Sequence, residues 1–151
     1  MNRVEGDLIR LALDGQFDVI VHGCNCFHTM GAGIAKAIAA EFPEALAADR
    51  ATSKGDRDKL GTVSVAEVIR GSRRLTIVNA YTQFQWRGRG PKVDYDALRR
   101  CFETIARDFD GQRIGYPMIG AGLAGGDWDR IAAIIDAALV GQDHTLVVLP
   151  A

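Results

Sequence analysis

The sequence predicts an α/β fold in three layers, with helices on both faces of a mixed, largely parallel sheet, in one domain spanning residues 1–151. Three observations predict it. Short runs of β-branched and apolar residues recur along the chain, amphipathic helical patterns lie between several of them, and two glycine-rich segments each join a strand pattern to a helix pattern.

The strand runs are "DVIVHG" from Asp18, "GTVSVAEVI" from Gly61, "RLTIVNAYT" from Arg74, "RIGYPMI" from Arg113 and "TLVVLP" from Thr145. Their Val, Ile, Thr and Tyr content suits a pleated, buried surface. The second and third are joined by the turn-like "RGSRR" and read as an antiparallel hairpin, which makes the sheet mixed. "GIAKAIAAEF" is helical, with Ile34, Ala37, Ile38 and Phe42 on one face, and "FPEALAADRATSK" follows as a second helix set off by Pro43. "DYDALRRCFETIARDF" aligns Leu98, Cys101, Phe102, Ile105 and Phe109, and "DWDRIAAIIDAAL" is a fourth helix with Asp127 placed as its N-cap.

Eighteen Lys and Arg against nineteen Asp and Glu give a net charge of -1, so no overall field steers the chain to nucleic acid or an anionic membrane. Three cysteines, an odd number, fit a reducing compartment and predict a cytoplasmic protein. The start "MNRVEGDLIR" lacks the apolar run of a signal peptide, and no stretch approaches the roughly 18 apolar residues of a membrane span, so no membrane partner is expected.

The stretch "VHGCNCFHTMGAGIAKAI", residues 21–38, concentrates the chemistry. His22, Cys24, Cys26 and His28 alternate, but an extended strand would spread the two histidines over about 20 Å, and a zinc ion needs its ligands within about 2.3 Å. No metal and no cofactor is expected. Cys24 ends an apolar strand and reads as a core filler, with a nucleophile at a helix N-terminus as the alternative; Cys101 lies on the apolar face of its helix. Gly31 and Gly33 precede a helix whose first N–H groups lack partners, which describes an anion site or simply a tight turn. "IGAGLAGGDW", residues 119–128, repeats that arrangement. Two such loops at the carboxyl ends of parallel strands suit a diphosphate. Gly120, Gly122 and Gly125 match G-x-G-x-x-G, yet only one further strand follows, so a Rossmann dinucleotide unit is excluded. A Walker G-K-[ST] is absent.

From "EGDL" at residues 5–8 through "DVIVHGCN", "MGAGIA", "GTV" and "PMIGAGLAGGDW" to "LVVL", the chain resembles the macrodomain family of ADP-ribose-binding modules. The resemblance implies the α/β/α macrodomain fold. "HGCNCFHTMGAGIA" most resembles the branch of ADP-ribose-1''-phosphate phosphatases and terminal ADP-ribose glycohydrolases, in which His and Cys stand where other members have "NAAN". It implies that Asp7 accepts from the adenine amino group with Leu8 beside it, a role favoured over that of a cap on the next turn. Asn25 would hold the distal ribose, Gly31, Ala32, Gly33 and Ile34 one side of the pyrophosphate, and Gly120, Ala121, Gly122, Leu123 and Ala124 the other.

In macrodomains that act through a lysine, that lysine falls at Gln83 and its partner aspartate at Ala124, so this chain lacks both groups. The resemblance then implies a lysine-independent reaction, with ADP-ribose-1''-phosphate as the leading substrate and His22, Asn25 and His28 as catalytic candidates. His22 suits an acid or base, or an orienting hydrogen bond; His28 is a second candidate or a solvated loop residue. Asp127 would activate water if it were not an N-cap. The alternatives are a lysine-independent hydrolase that removes ADP-ribosyl groups by non-covalent water attack and a non-catalytic reader of ADP-ribosylated protein or nucleic acid. "QWRGRGPK", residues 85–92, favours that partner class through Trp86, Arg87, Arg89 and Lys92, unless it is only a solvated loop.

Overall fold

A computed structural model describes residues 1–151. The elements run β1 (Asn2–Glu5), α1 (Leu8–Leu13), β2 (Val19–Cys24), α2 (Gly33–Glu41), α3 (Pro43–Arg50), β3 (Val63–Arg70), β4 (Arg73–Tyr81), α4 (Tyr95–Asp108), β5 (Ile114–Tyr116), α5 (Trp128–Ala138) and β6 (His144–Val148). The six strands form one sheet in the order β1-β6-β5-β2-β4-β3. Every neighbouring pair is parallel except the β3–β4 hairpin, which pairs Val63 with Ala80 through Arg70 with Arg73. This is the expected mixed, largely parallel sheet, and residues 2–5 and 144–148 meet at one edge of it.

Alternation along β2 explains the layers. Val19 and Val21 enter a core of 17 buried residues with α4 and α5, whereas Ile20 enters a core of 13 with α1, α2 and α3. On α4, Leu98, Cys101, Phe102 and Ile105 are fully buried, as their spacing requires, and burial pushes the Cys101 thiol up to about 12. On α2 only Ile38 is buried; Ala37 faces solvent and corrects the expected apolar face, because Phe42 closes the core from the α2–α3 junction instead. The helix starting at Pro43 stops at Arg50, short of the expected Lys54.

Three elements are additional to those expected, one of them a short 3-10 helix at Arg57–Lys59. β1 is exposed at all four residues and carries no alternation, and α1 is a six-residue helix, too short for its period to show. No helix is long and apolar enough to cross a membrane.

Candidate functional site

β2 and β5 are adjacent and parallel, so the segments leaving their carboxyl ends face each other across a cleft of about 660 Å³. That volume falls within the range of small-molecule sites. Gly31–Ala35 form one wall, and Gly120, Gly122, Leu123 and Ala124 form part of the other. Gly23 and Cys24 at the end of β2, Asn25, Thr29, and Gln83 and Trp86 beyond β4 complete the lining with Pro117, Met118 and Ile119.

The cleft presents backbone N–H groups that no carbonyl accepts. Helices α1, α4 and α5 are each capped by an aspartate, Asp7, Asp94 and Asp127, whose side chains accept from Arg10 N, Ala97 N and Asp129 N. Helix α2, like α3 behind Phe42, has no side-chain cap: its N-cap is Ala32, whose methyl group cannot accept a hydrogen bond. The N–H groups from Gly31 to Ala35 therefore bond no backbone carbonyl, and neither do those of Gly120, Gly122, Leu123 and Ala124 across the cleft. No Asp, Glu, Lys, Arg or His side chain lines the space. No carboxylate competes for these donors, the arrangement that suits an anion.

The glycines hold this backbone in place for different reasons. Gly120 has φ +76°, and a Cβ on Gly126 would lie 2.5 Å from Val93 Cγ1 and 2.7 Å from Gly120 O. Cβ atoms on Gly31 and Gly122 would meet nothing within 4 Å, so the fold itself does not require glycine at either.

Asn25 organises the entry to the first glycine segment. Its Oδ1 accepts from Phe27 N at 2.8 Å, while Nδ2 donates to Thr29 O at 3.2 Å and Thr29 Oγ1 at 2.5 Å. Asn25 and Thr29 both line the cleft, so one carboxamide fixes the loop and presents a polar edge to a ligand.

His22 does not stand where an acid or base acting in the cleft must stand. It is fully buried on the α3 side of the sheet, and its Nε2 is 2.6 Å from Asn79 Oδ1. Asn79 Nδ2 donates to Ala45 O and Ser64 Oγ, which fixes the carboxamide orientation and makes His22 Nε2 the proton-bearing nitrogen. Burial lowers the His22 pKa to about 4, against the opposing effect of the Asn79 bond, so the ring is neutral at pH 7. Cys24 Sγ lies 3.7 Å from its bare Nδ1, and burial holds that thiol well above its usual range; it is a packed, unactivated cysteine. His28 has a left-handed φ of 62° and turns Nε2 to Thr52 Oγ1 at 3.1 Å, away from the cleft lining. Thr52 Oγ1 itself donates to Asp49 O and accepts from Lys59 Nζ, so His28 Nε2 is the donor in that contact.

Asp7 and Leu8 follow β1 at the end of the sheet where the cleft opens but do not line it; Asp7 caps α1 and Leu8 is core. Ala121 packs against the α4–α5 core, outside the lining. Gln83 lines the cleft with Nε2 bonded to Gln85 O at 3.1 Å. No group of three His, Cys, Asp or Glu side chains is placed to hold a metal ion. Gly23, Thr29, Ala35, Pro117 and Met118 are lining residues that sequence reasoning gave no role, and Cys24, read as core filler or nucleophile, lines the cleft too. Strand-end position was the available signal, because ligands in such sheets bind beyond the carboxyl ends of strands.

Comparison with known proteins agrees with this fold. A 17.5 kDa protein from the tk-vs intergenic region of enterobacteria phage T4, uncharacterised, is 40% identical over 138 residues, 88% of this chain and 86% of the phage protein. A DNA ADP-ribosyl glycohydrolase of Mycobacterium tuberculosis is 25% identical over 126 residues, 83% of this chain but only 35% of that protein. Among solved structures, a protein of unknown function from Bacteroides thetaiotaomicron matches with TM-score 0.83 and 27% identity, covering 98% of this chain and 97% of that one. Thermosipho africanus DarTG in complex with ADP-ribose shares the fold, with TM-score 0.75 and 14% identity over 99% of this chain and 42% of that one. The Macro domain family model matches residues 21–135, which takes in the Asn25 loop, both glycine segments and the strands that carry them, and on this match the chain belongs to the macro domain family.

Proposed function

We propose that this macro domain binds ADP-ribose, gripping the diphosphate between its two glycine segments. The observation that carries the reading is the set of unpartnered N–H groups on Gly31–Ala35 and on Gly120, Gly122, Leu123 and Ala124, facing each other in a cleft without a charged side chain. Asn25 and Thr29 supply polar atoms for a ribose hydroxyl. Titration calorimetry with ADP-ribose tests this, with AMP and ribose-5-phosphate as controls. Binding at least tenfold tighter than either control is expected; equal binding of AMP would sink the proposal.

Hydrolysis of an ADP-ribose derivative extends the reading, with ADP-ribose-1''-phosphate as the leading substrate. Water would attack phosphorus and the bond to the 1''-oxygen would break, giving ADP-ribose and phosphate. With His22 and His28 outside the cleft, a dianionic phosphate takes the water's proton itself, and Asn25 and Thr29 order the reactants. Release of phosphate from that substrate is the test. Binding without release would leave a reader of ADP-ribosylated macromolecules. Non-covalent removal of an ADP-ribosyl group is a second enzymatic reading, supported by the name of the mycobacterial relative; its measure is loss of label from a mono-ADP-ribosylated substrate.

A further inference from the structure

Lys59 lies outside the cleft lining, is only 7% exposed and forms no salt bridge. Burying an ammonium is costly unless it finds acceptors. This one donates from Nζ to Thr52 Oγ1 at 2.6 Å and to Cys26 O at 3.2 Å, and stands 4.6 Å from the centre of the Tyr81 ring. The nearest buried acid in this network is one step removed: Asp49 accepts from Tyr81 OH at 2.7 Å, and its backbone carbonyl accepts from Thr52 Oγ1. Cys26, fully buried, is held at each of its polar groups. Its N–H donates to Phe84 O at 2.9 Å, its thiol to Gln83 O at 3.6 Å, and its carbonyl accepts from Gly55 N at 2.7 Å as well as from Lys59. The peptide that carries this carbonyl is trans and ends at Phe27 N, so its C=O and N–H point to opposite sides. On the far side, Phe27 N–H donates to Oδ1 of Asn25, which lines the cleft, at 2.8 Å. One peptide plane therefore joins a buried ammonium to the carboxamide of the cleft.

We infer that Lys59 is a positioning residue for ligand binding, which acts through the Cys26–Phe27 peptide to fix and polarise the hydrogen bond that orients Asn25. The inference rests on the ADP-ribose reading above. A cationic donor on a peptide carbonyl draws electron density toward the oxygen and makes the N–H of the same peptide a stronger donor. Asn25 Oδ1 is thereby committed to Phe27, and Nδ2 is left as the edge shared by Thr29 and the ligand. The Gly55 N–H is a neutral donor and polarises that carbonyl less. Packing does not call for the charge: an apolar side chain of similar length fills the same space, Cys26 O keeps Gly55, and Asp49 keeps Tyr81.

The test is Lys59→Met, which keeps an unbranched apolar stem and removes the donors. Calorimetric affinity for ADP-ribose should fall about fivefold in this variant. In an Asn25→Ala background the same substitution should cost less than twofold, because the group through which Lys59 acts is gone. Without ligand, the Phe27 amide proton of Lys59→Met should move upfield in the NMR spectrum, as a weakened hydrogen bond requires, while the Gly120 and Gly122 amides stay in place. Equal losses in the two backgrounds, native affinity in folded Lys59→Met, or an unmoved Phe27 amide overturns the inference. Should Lys59→Met not fold, the native protein decides: a coupling across the hydrogen bond between Lys59 Nζ and the Cys26 carbonyl carbon supports the link, and a resolved Lys59 ammonium signal without that coupling overturns it. Failure of the native protein to bind ADP-ribose would instead remove the reading of the cleft, and the Phe27 shift would still judge the connection from Lys59 to Asn25.

Discussion

His22 donates from Nε2 to Asn79 Oδ1 across 2.6 Å, and this one bond holds a neutral imidazole inside the α3 face of the sheet. It converts the most conspicuous candidate for acid–base chemistry into a buried structural pair. His22→Ala would leave Asn79 Oδ1 without its donor and open a cavity, which should cost about 3 kcal/mol of stability by denaturant titration. The pH–rate profile of any hydrolysis should lack the inflection near 6.5 that a histidine in the cleft would produce.

The same pair makes the fold sensitive to acid. The folded pKa of His22 is about 4, below its ordinary 6.5, so the unfolded chain takes up a proton that the folded chain refuses. Stability from this group is complete above pH 6.5 and is lost as pH falls from 6.5 through 4, by about 3 kcal/mol at roughly 1.4 kcal/mol per unit. His144, also lowered chiefly by burial, acts in the same direction. Thermal melts between pH 7.5 and 4.5 should show a falling Tm, and His22→Asn should flatten part of that fall.

Glycines of the two segments should divide into two classes on substitution. Gly31→Ala and Gly122→Ala place a Cβ in open space at a negative or extended φ, so stability should stay level or rise by about 0.5 kcal/mol. Both residues line the cleft, and ADP-ribose affinity should fall at least fivefold in each. Gly126→Ala forces a Cβ against Val93 and Gly120 O and should destabilise the fold by about 2 kcal/mol. Melting curves read beside calorimetry separate the classes.

Asn25 and Thr29 act as one unit through the Nδ2 contacts. Asn25→Ala frees the loop and removes the polar edge, so ADP-ribose affinity should drop tenfold or more, while Thr29→Val should give a smaller loss. A double-mutant cycle should be strongly non-additive; simple additivity would show that the two residues serve the ligand separately.

Thr82 Oγ1 is a buried side-chain oxygen with no hydrogen-bond partner, close to where a Cβ on Gly23 would stand. Thr82→Val replaces it by a methyl group of similar shape and should raise stability by about 1 kcal/mol in urea titration.

Much of this protein was determined by the sequence alone, for a local physical reason. β-Branched, apolar runs in "DVIVHG" and "RLTIVNAYT" place β2 and β4, the 3.6-residue spacing of Leu98, Cys101, Phe102 and Ile105 places α4, and glycine-rich joins after β2 and β5 place two facing loops at one end of the sheet. β1 and α1 escaped because an exposed four-residue edge strand and a six-residue helix carry too few residues for any period to emerge. Tertiary structure decided which side chains reach the cleft. His22 and Asn25 stand three residues apart, yet strand alternation and a partner 57 residues away at Asn79 turn His22 into the core, whereas the bend after Cys24 turns Asn25 toward the cleft. Burial is a sum over neighbours that are distant in sequence, so only the assembled layers could assign one residue to stability and the other to the site.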